Sequence, residues 1–245
     1  MNALASHTGT IAAAPGLDTS QSCYTFTVNN WVCPAYWTNF RDEIVDNTVE
    51  HVWLTVVSVG LGVLFAVPLA LLARRSALAA SAVLSGSTVI YTVPSLAMFS
   101  LMLISPPFPG ISPWSVVIGL ALYSLTILVR NVLAGLAGVP AEVRDAGVGL
   151  GYGRARLLMT IEAPLALPVI MAGLRVATVS TVALVTVGSI LGYGGLGNLL
   201  YDGVRTNFKA QILTASVLCV LLAVLFDLLL LGVQRALTPW QRARA

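Results

Sequence analysis

SALAASAVLSGSTVIYTVPSLAMFSLMLISPPFPGISPWSVVIGLALYSLTILV, residues 76–129, runs for 54 positions without Asp, Glu, Lys or Arg. A soluble domain carries roughly 25% charged residues, whereas the whole 245-residue chain has 9%, with 57% hydrophobic residues and a mean hydropathy of +0.88. Further uncharged runs cover 52–73, 176–201 and 210–226. A helix crossing a bilayer core needs about 20 apolar residues. The chain therefore reads as an all-α, polytopic membrane protein with about five transmembrane helices.

The long run must hold two spans, because Pro106–Gly110 (PPFPG) cannot continue a helix. The expected spans are 49–73, 79–105, 113–133, 165–191 and 210–234. Lys and Arg placement orients them. With the N-terminus outside, inner segments hold Arg74, Arg75, Arg130, Arg144, Arg154, Arg156, Arg235, Arg242 and Arg244, and outer segments only Arg41, Arg205 and Lys209. The acidic tail, with Asp18, Asp42, Glu43, Asp46 and Glu50, agrees with an N-outside, C-inside topology. The net charge of +3 follows from that inner-face bias and offers no case for nucleic acid. The division expected is an extracytoplasmic tail (1–48), a transmembrane domain (49–237) and a cytoplasmic C-terminal tail (238–245).

The first 20 residues lack the basic start and apolar core of a signal peptide. In an extracytoplasmic tail Cys23 and Cys33 are candidates for a disulfide, the alternative being two free thiols. Cys219 reads as a small core residue within a span.

Catalytic chemistry is sparse. His7 and His51 lie at no metal-ligand spacing, and no metal site or catalytic residue is expected. The glycines of GVGLGYG fail the spacing of a dinucleotide loop. A phosphate loop needs Gly-Lys-Ser/Thr, and the single lysine, Lys209, stands in KAQ. Energy for any work must come from a partner.

Amid the oil lies DAGVGLGYGRARLLMTIEAP, Asp145–Pro164. VPAEVRDAGVGL suits a short helix with Pro140 near its start. Gly151-Tyr152-Gly153 offers a break where positive φ is cheap. RARLLMTI suits a second short helix, with Arg154 and Arg156 on one side and Leu157, Leu158 and Ile161 on another. Such a foot can press into a groove on another protein and pass on a rigid-body movement.

This stretch resembles the EAA loop of ABC-importer permeases: Glu-Ala-Ala, three residues, Gly, nine residues, an aliphatic, one residue, Leu-Pro. Asp145-Ala146-Gly147, Gly151, Ile161 and Ala163-Pro164 occupy those places, with Asp for Glu, Gly for the second Ala and Ala for Leu. YTVPSLAMF (Tyr91–Phe99), ILVRNVLAGLAGVP (Ile127–Pro140) and LGYGGLGNLLYDG (Leu191–Gly203) resemble segments of glycine betaine/carnitine/choline (osmoprotectant) permeases. The third is shared with methionine and phosphonate permeases. The resemblance covers residues 49–234 and omits the tail.

It implies the permease fold of a type I ABC importer, embedded in the lipid of a prokaryotic cytoplasmic membrane. A second permease chain, two ATPase subunits on the cytoplasmic coupling loop (138–164) and an extracytoplasmic substrate-binding protein would complete it. ATP and Mg belong to the ATPase, and this chain binds no cofactor. Coupling to the ATPase falls on Asp145, Ala146, Gly147, Gly151, Arg154, Arg156, Ile161 and Pro164. The 192–208 loop, through Gly192, Gly194, Gly195, Gly197 and Tyr201, implies an outer gate, the alternative being a re-entrant connector. A permease for methionine or a similar solute, and a non-transporting scaffold or sensor, are the competing readings.

Polar residues within spans supply further candidates. Arg175 lies about ten residues into span four and Asp227 eight before Arg235. At about 1.5 Å per residue both sit roughly 12–15 Å deep from the same side, which predicts an ion pair, direct or through water, against separate snorkelling. Thr88, Tyr91, Thr92, Pro94 and Ser95 in span two, and Thr181 in span four, suit either a translocation path or helix–helix packing. Tyr91 and Trp114 offer faces to a quaternary ammonium.

Overall fold

The computed structural model describes residue 23 and residues 28–104 and 110–242. Most of the N-terminal tail with His7, residues 105–109 of the expected break, and residues 243–245 lie outside the described residues. A short helix α1 (Pro34–Asn39) leads into α2 (Arg41–Ala73), which starts eight residues before the expected span and carries Asp42 and Glu43 in its first turn. Arg74 ends α2, and Ser76 opens α3 (Ala77–Thr92) by accepting the Ala79 N–H at 3.1 Å.

The second expected span is not one continuous helix. Val93, forced out of the helical region by the following Pro94, is extended at φ −67° and ψ 125°. Here α4 (Ser95–Ile104) leaves α3 at 92°. Among the described residues four helices are long and apolar enough to cross a membrane, giving five spans if this bent pair counts as one. Then α5 (Pro113–Ala137) starts with Ser112 capping the Trp114 N–H and Pro113 in the first turn.

Helix α6 (Ala141–Gly149) and a turn follow, then α7 (Arg154–Leu157), a π turn (Leu158–Glu162) and α8 (Ala163–Val185) run on as a single rod. So the second foot helix is not separate, and Pro164 closes nothing. It lacks an N–H and would crowd the Thr160 carbonyl in a regular α-helix. The π turn, in which the Ala163 N–H donates to the Leu158 carbonyl, widens the rod just before it. A 3₁₀ segment (Thr186–Leu191) ends this span. The 192–208 region then folds into α9 (Leu196–Thr206), more helix than the sequence suggested, because Leu196, Leu199 and Gly203 turn one face inward. The chain continues as α10 (Lys209–Leu237) and α11 (Pro239–Arg242).

The core is a seam between α2, α5 and α8, built in three levels. Leu54, Phe99, Val116, Leu120 and Val185 fill one end, Ala66, Leu125, Val129 and Ala177 the middle, and Ala70, Val132, Leu136 and Ala166 the end nearest the foot. Lipid gives helices no hydrophobic reason to associate, so close backbone approach and dispersion must hold them. Glycines let the backbones come close: a Cβ at Gly62 would collide with Ser124, and one at Gly173 with Asn131. At Gly135 a Cβ would lie 3.0 Å from the Ala166 carbonyl oxygen and 3.3 Å from the Ala166 Cβ.

Gly135→Leu should therefore push α5 off α8. Overpacking typically costs about 1–3 kcal/mol, read as a lower thermal midpoint of the detergent-purified protein, whereas Gly60→Leu, with open space around it, should leave the midpoint unchanged.

Candidate functional site: a foot, a bend, a gate and an intramembrane ion pair

The foot is built by α6, its turn and α7. Leu150, Gly151 and Tyr152 donate backbone N–H groups to Ala146, Val148 and Gly147, and Gly151 takes the left-handed conformation at φ +80°. Gly147 is buried because Leu157 and Ile161 lie over it, at 2.5 and 2.9 Å from where its Cβ would stand. Glycine at the pattern's second Ala thus lets the two legs of the foot close together. Asp145, Ala146, Arg154 and Arg156 are exposed, with the Arg156 guanidinium 4.5 Å above the Tyr152 ring. Pro164 sits half-buried in the first turn of α8.

Sequence reasoning missed two features here. Val148, Leu150 and Met159 are exposed apolar side chains, Leu150 and Met159 at about three quarters exposure. The available signal was their presence in the one polar segment, since Leu157 and Ile161 already satisfy the internal packing. The second is Glu162, only 4% exposed, which receives Arg74 Nη1 at 2.7 Å and Nη2 at 3.0 Å and lies 3.1 Å from Arg144 Nε. Partners 88 and 18 positions away along the chain leave no local signal.

At the bend, Tyr91 and Thr92 are exposed, Pro94 is exposed, and Ser95 is half-buried at the start of α4. The Tyr123 hydroxyl donates to the Val93 carbonyl that the bend frees, and the Tyr91 and Tyr123 rings meet edge to face at 6.0 Å. Thr88 accepts from Arg130 Nη2 at 2.6 Å while donating to the Leu84 carbonyl. Thr181 is buried, and its hydroxyl donates to the Ala177 carbonyl of its own helix at 2.8 Å. Trp114 pairs edge to face with Trp53 at 5.7 Å, away from Tyr91's ring partner.

Of the expected gate residues, Gly192, Gly194 and Gly195 form a tight turn, and Gly197 and Tyr201 lie in α9. Gly192 (φ +80°) and Gly195 (φ +52°) adopt backbone that side chains disfavour. A Cβ at Gly195 would stand 2.6 Å from the His51 backbone, and Gly194 and Gly197 press equally against Ser189 and Thr186. Asn198 accepts the Gly194 N–H at 3.0 Å and reaches Asn47 and Glu50 on α2 at 3.4 and 3.5 Å. His51 is buried and donates from Nε2 to the Val182 carbonyl at 3.0 Å, tying α2 to α8. Tyr201 is exposed, with Arg205 above its ring.

At this same end Cys23 and Cys33 are joined as a disulfide with 5.5 Å between Cα atoms. Tyr36, Phe40 and Phe208 interlock, burial raising the Tyr36 hydroxyl above its usual pKa. Asn29 bridges the Asn207 carbonyl and the Lys209 N–H at the head of α10. The stretch from residue 28 to α1 is thus docked on the chain's own α9–α10 corner.

Arg175 and Asp227 meet in two parallel hydrogen bonds, Nε to Oδ1 at 2.8 Å and Nη2 to Oδ2 at 2.7 Å. They line a cleft of about 570 Å³ between α8 and α10, with Ala172, Val176, Ala223 and Leu228 around them. A planar guanidinium fork matched to a carboxylate satisfies both groups where lipid offers nothing.

Apolar spans around a closely packed seam, with a structured foot at one end and a tight glycine turn at the other, define a polytopic helical membrane protein. Residues 58–243 match the family described as binding-protein-dependent transport system inner membrane component, and the chain belongs to that family. It is 37% identical to the osmoprotectant import permease protein OsmW of Salmonella typhimurium over 196 residues, covering 78% of this chain and 90% of that one. It is 33% identical to the choline transport system permease protein OpuBB of Bacillus subtilis, covering 80% and 89%. Among solved structures, the MetNI methionine ABC transporter in inward-facing conformations superposes with a TM-score of 0.72 at 20% identity, over 82% of this chain and 98% of that one. An amino acid ABC transporter with histidines gives 0.71 at 18% identity, over 81% and 96%. The fold is accordingly that of type I ABC importer permeases, and ATP hydrolysis is the work of a partner ATPase.

The ion pair is open to a double-mutant cycle. Arg175→Gln and Asp227→Asn should each lower the thermal midpoint and the yield of folded protein by stranding a charge at membrane depth. The double variant should regain most of both. Additive losses would mean that the two side chains act separately.

Proposed function

We propose that this chain is the permease of an importer for quaternary-amine osmoprotectants such as glycine betaine, choline or carnitine, moved by alternating access. The observation that carries the substrate class is the identity of 33–37% over about four fifths of the chain to permeases described as osmoprotectant and choline transporters. YTVPSLA, the segment behind the same reading of the sequence, coincides with the 92° bend, which supports a role for Tyr91, Thr92 and Pro94 in the path. The likeness to a methionine transporter lies at 20% identity and speaks for fold alone.

In this reading the N-terminus is outside, which follows from the placement of basic residues. Two permease chains, identical or homologous, sit on two ATPase subunits that hold ATP and Mg. The foot residues Asp145, Ala146, Gly151, Arg154 and Arg156 meet the ATPase, Gly147 and Ile161 hold the two legs of the foot together behind them, and the exposed apolar side chains of Val148, Leu150 and Met159 enter its groove. A binding protein delivers solute to the opposite end, where Gly192, Gly194, Gly195, Gly197 and Tyr201 act as the outer gate. Rigid-body rocking of the paired permeases then exposes the path to each side in turn. High-affinity selection belongs to the binding protein.

The test of substrate is uptake into proteoliposomes holding the assembled complex. ATP-dependent entry of labelled glycine betaine, choline or carnitine is expected; entry of methionine with none of these would overturn the reading. The coupling role has its own test. Proline cannot adopt φ +80°, so Gly151→Pro should leave the spans folded while ATP hydrolysis no longer drives uptake. Unchanged uptake would reduce the segment to a linker.

A further inference from the structure

Glu162 stands where four elements of the fold converge, and its surroundings are those of a mechanical joint. The π turn places it: residues 158–162 advance less per residue than an α-helix would, and the carboxylate ends up inside, 4% exposed. One neighbour, Arg74, caps the end of α2 and grips both carboxylate oxygens, at 2.7 and 3.0 Å. The other, Arg144, belongs to α6 and precedes Asp145 of the coupling pattern. Its Nε lies 3.1 Å from Oε1, and its Nη2 donates to the Leu136 carbonyl in the last turn of α5 at 2.5 Å. A helix end leaves such carbonyls unpaired and carries partial negative charge, so a guanidinium is well placed there.

We propose that Glu162 is the positioning residue of the coupling stroke, clamping foot helix α6 to the ends of α2, α5 and α8 so that displacement of the foot moves the three-span seam as one body. The inference deepens the reading of α6 and α7 as the ATPase contact and rests on it. Among the contacts of α6, the apolar ones join it to the π turn and α7 through Gly147, Leu157 and Ile161, which by themselves allow the foot to slide. The two arginines give the joint direction. A single buried carboxylate between two guanidiniums is also a joint whose loss is felt at once, because removing it leaves two like charges side by side without a counter-ion.

The experiment uses the full permease assembled with its ATPase and binding protein in proteoliposomes. Glu162→Gln keeps the side chain's size and removes its charge. ATPase subunits should still co-purify and still hydrolyse ATP, while solute taken up per ATP falls at least tenfold; Glu162→Asp should recover part of that ratio. Amide hydrogen exchange of residues 141–149 should speed up in Glu162→Gln and remain near wild type in Glu162→Asp. A wild-type coupling ratio together with unchanged exchange in Glu162→Gln would overturn the proposal. Should Glu162→Gln fail to assemble, Arg144→Gln, which leaves the Arg74–Glu162 pair intact, carries the same two readouts with the same expected directions. If the wild-type complex takes up no quaternary amine, the substrate reading fails on its own, and the exchange measurement still decides whether the clamp exists.

Discussion

The seam between α2, α5 and α8 depends on helices approaching closely enough for dispersion to hold them where the hydrophobic effect cannot. Gly62, Gly135 and Gly173 give way to Ser124, Ala166 and Asn131, and the three levels of buried side chains follow from that approach. Functional features hang from its ends. At one end α2, α5 and α8 close on Glu162 and the foot; at the other His51 and the glycine turn bind α2 to α8 and α9. A motion begun at the foot meets a body with few soft places along it.

Backbone regularity is broken at Val93–Pro94, at the π turn of 158–162 and at the 3₁₀ segment of 186–191. Each break is satisfied locally rather than left open to lipid: the Tyr123 hydroxyl takes the Val93 carbonyl, and the Ala163 N–H reaches the Leu158 carbonyl. This is the condition under which irregular backbone is tolerated at membrane depth. Helix α10, by contrast, is regular and little covered by its own chain, its contact with α8 marked by the Arg175–Asp227 pair.

Much of this was legible before any coordinates. Uncharged runs of spanning length have one physical use, so α2, α5, α8 and α10 could be placed to within a few residues at most ends. The start of α2 was missed by eight residues, because a span continuing as a helix into water leaves no hydropathy signal. Arg175 and Asp227 could be brought to one depth because a helix rises about 1.5 Å per residue. The foot could be recognised from spacing, but its legs were drawn as a helix, a turn and a second separate helix. The second runs unbroken into α8, since a π turn just ahead of Pro164 relieves the clash that usually makes proline a terminator.

What the sequence determined by itself is the solvent and the spacing of the foot: a chain this apolar must live in lipid, and the intervals from Asp145 to Pro164 are set by the order of the residues. Both follow from composition and local order, which do not change on folding. The tertiary structure alone decided the 92° angle of the bend, set by Met98, Phe99 and Met102 against α5, and the burial of α9 on α10. It alone brought Arg74 and Arg144 to Glu162. Those outcomes depend on which distant surfaces meet, and 88 residues of chain carry no local trace of a contact between its ends.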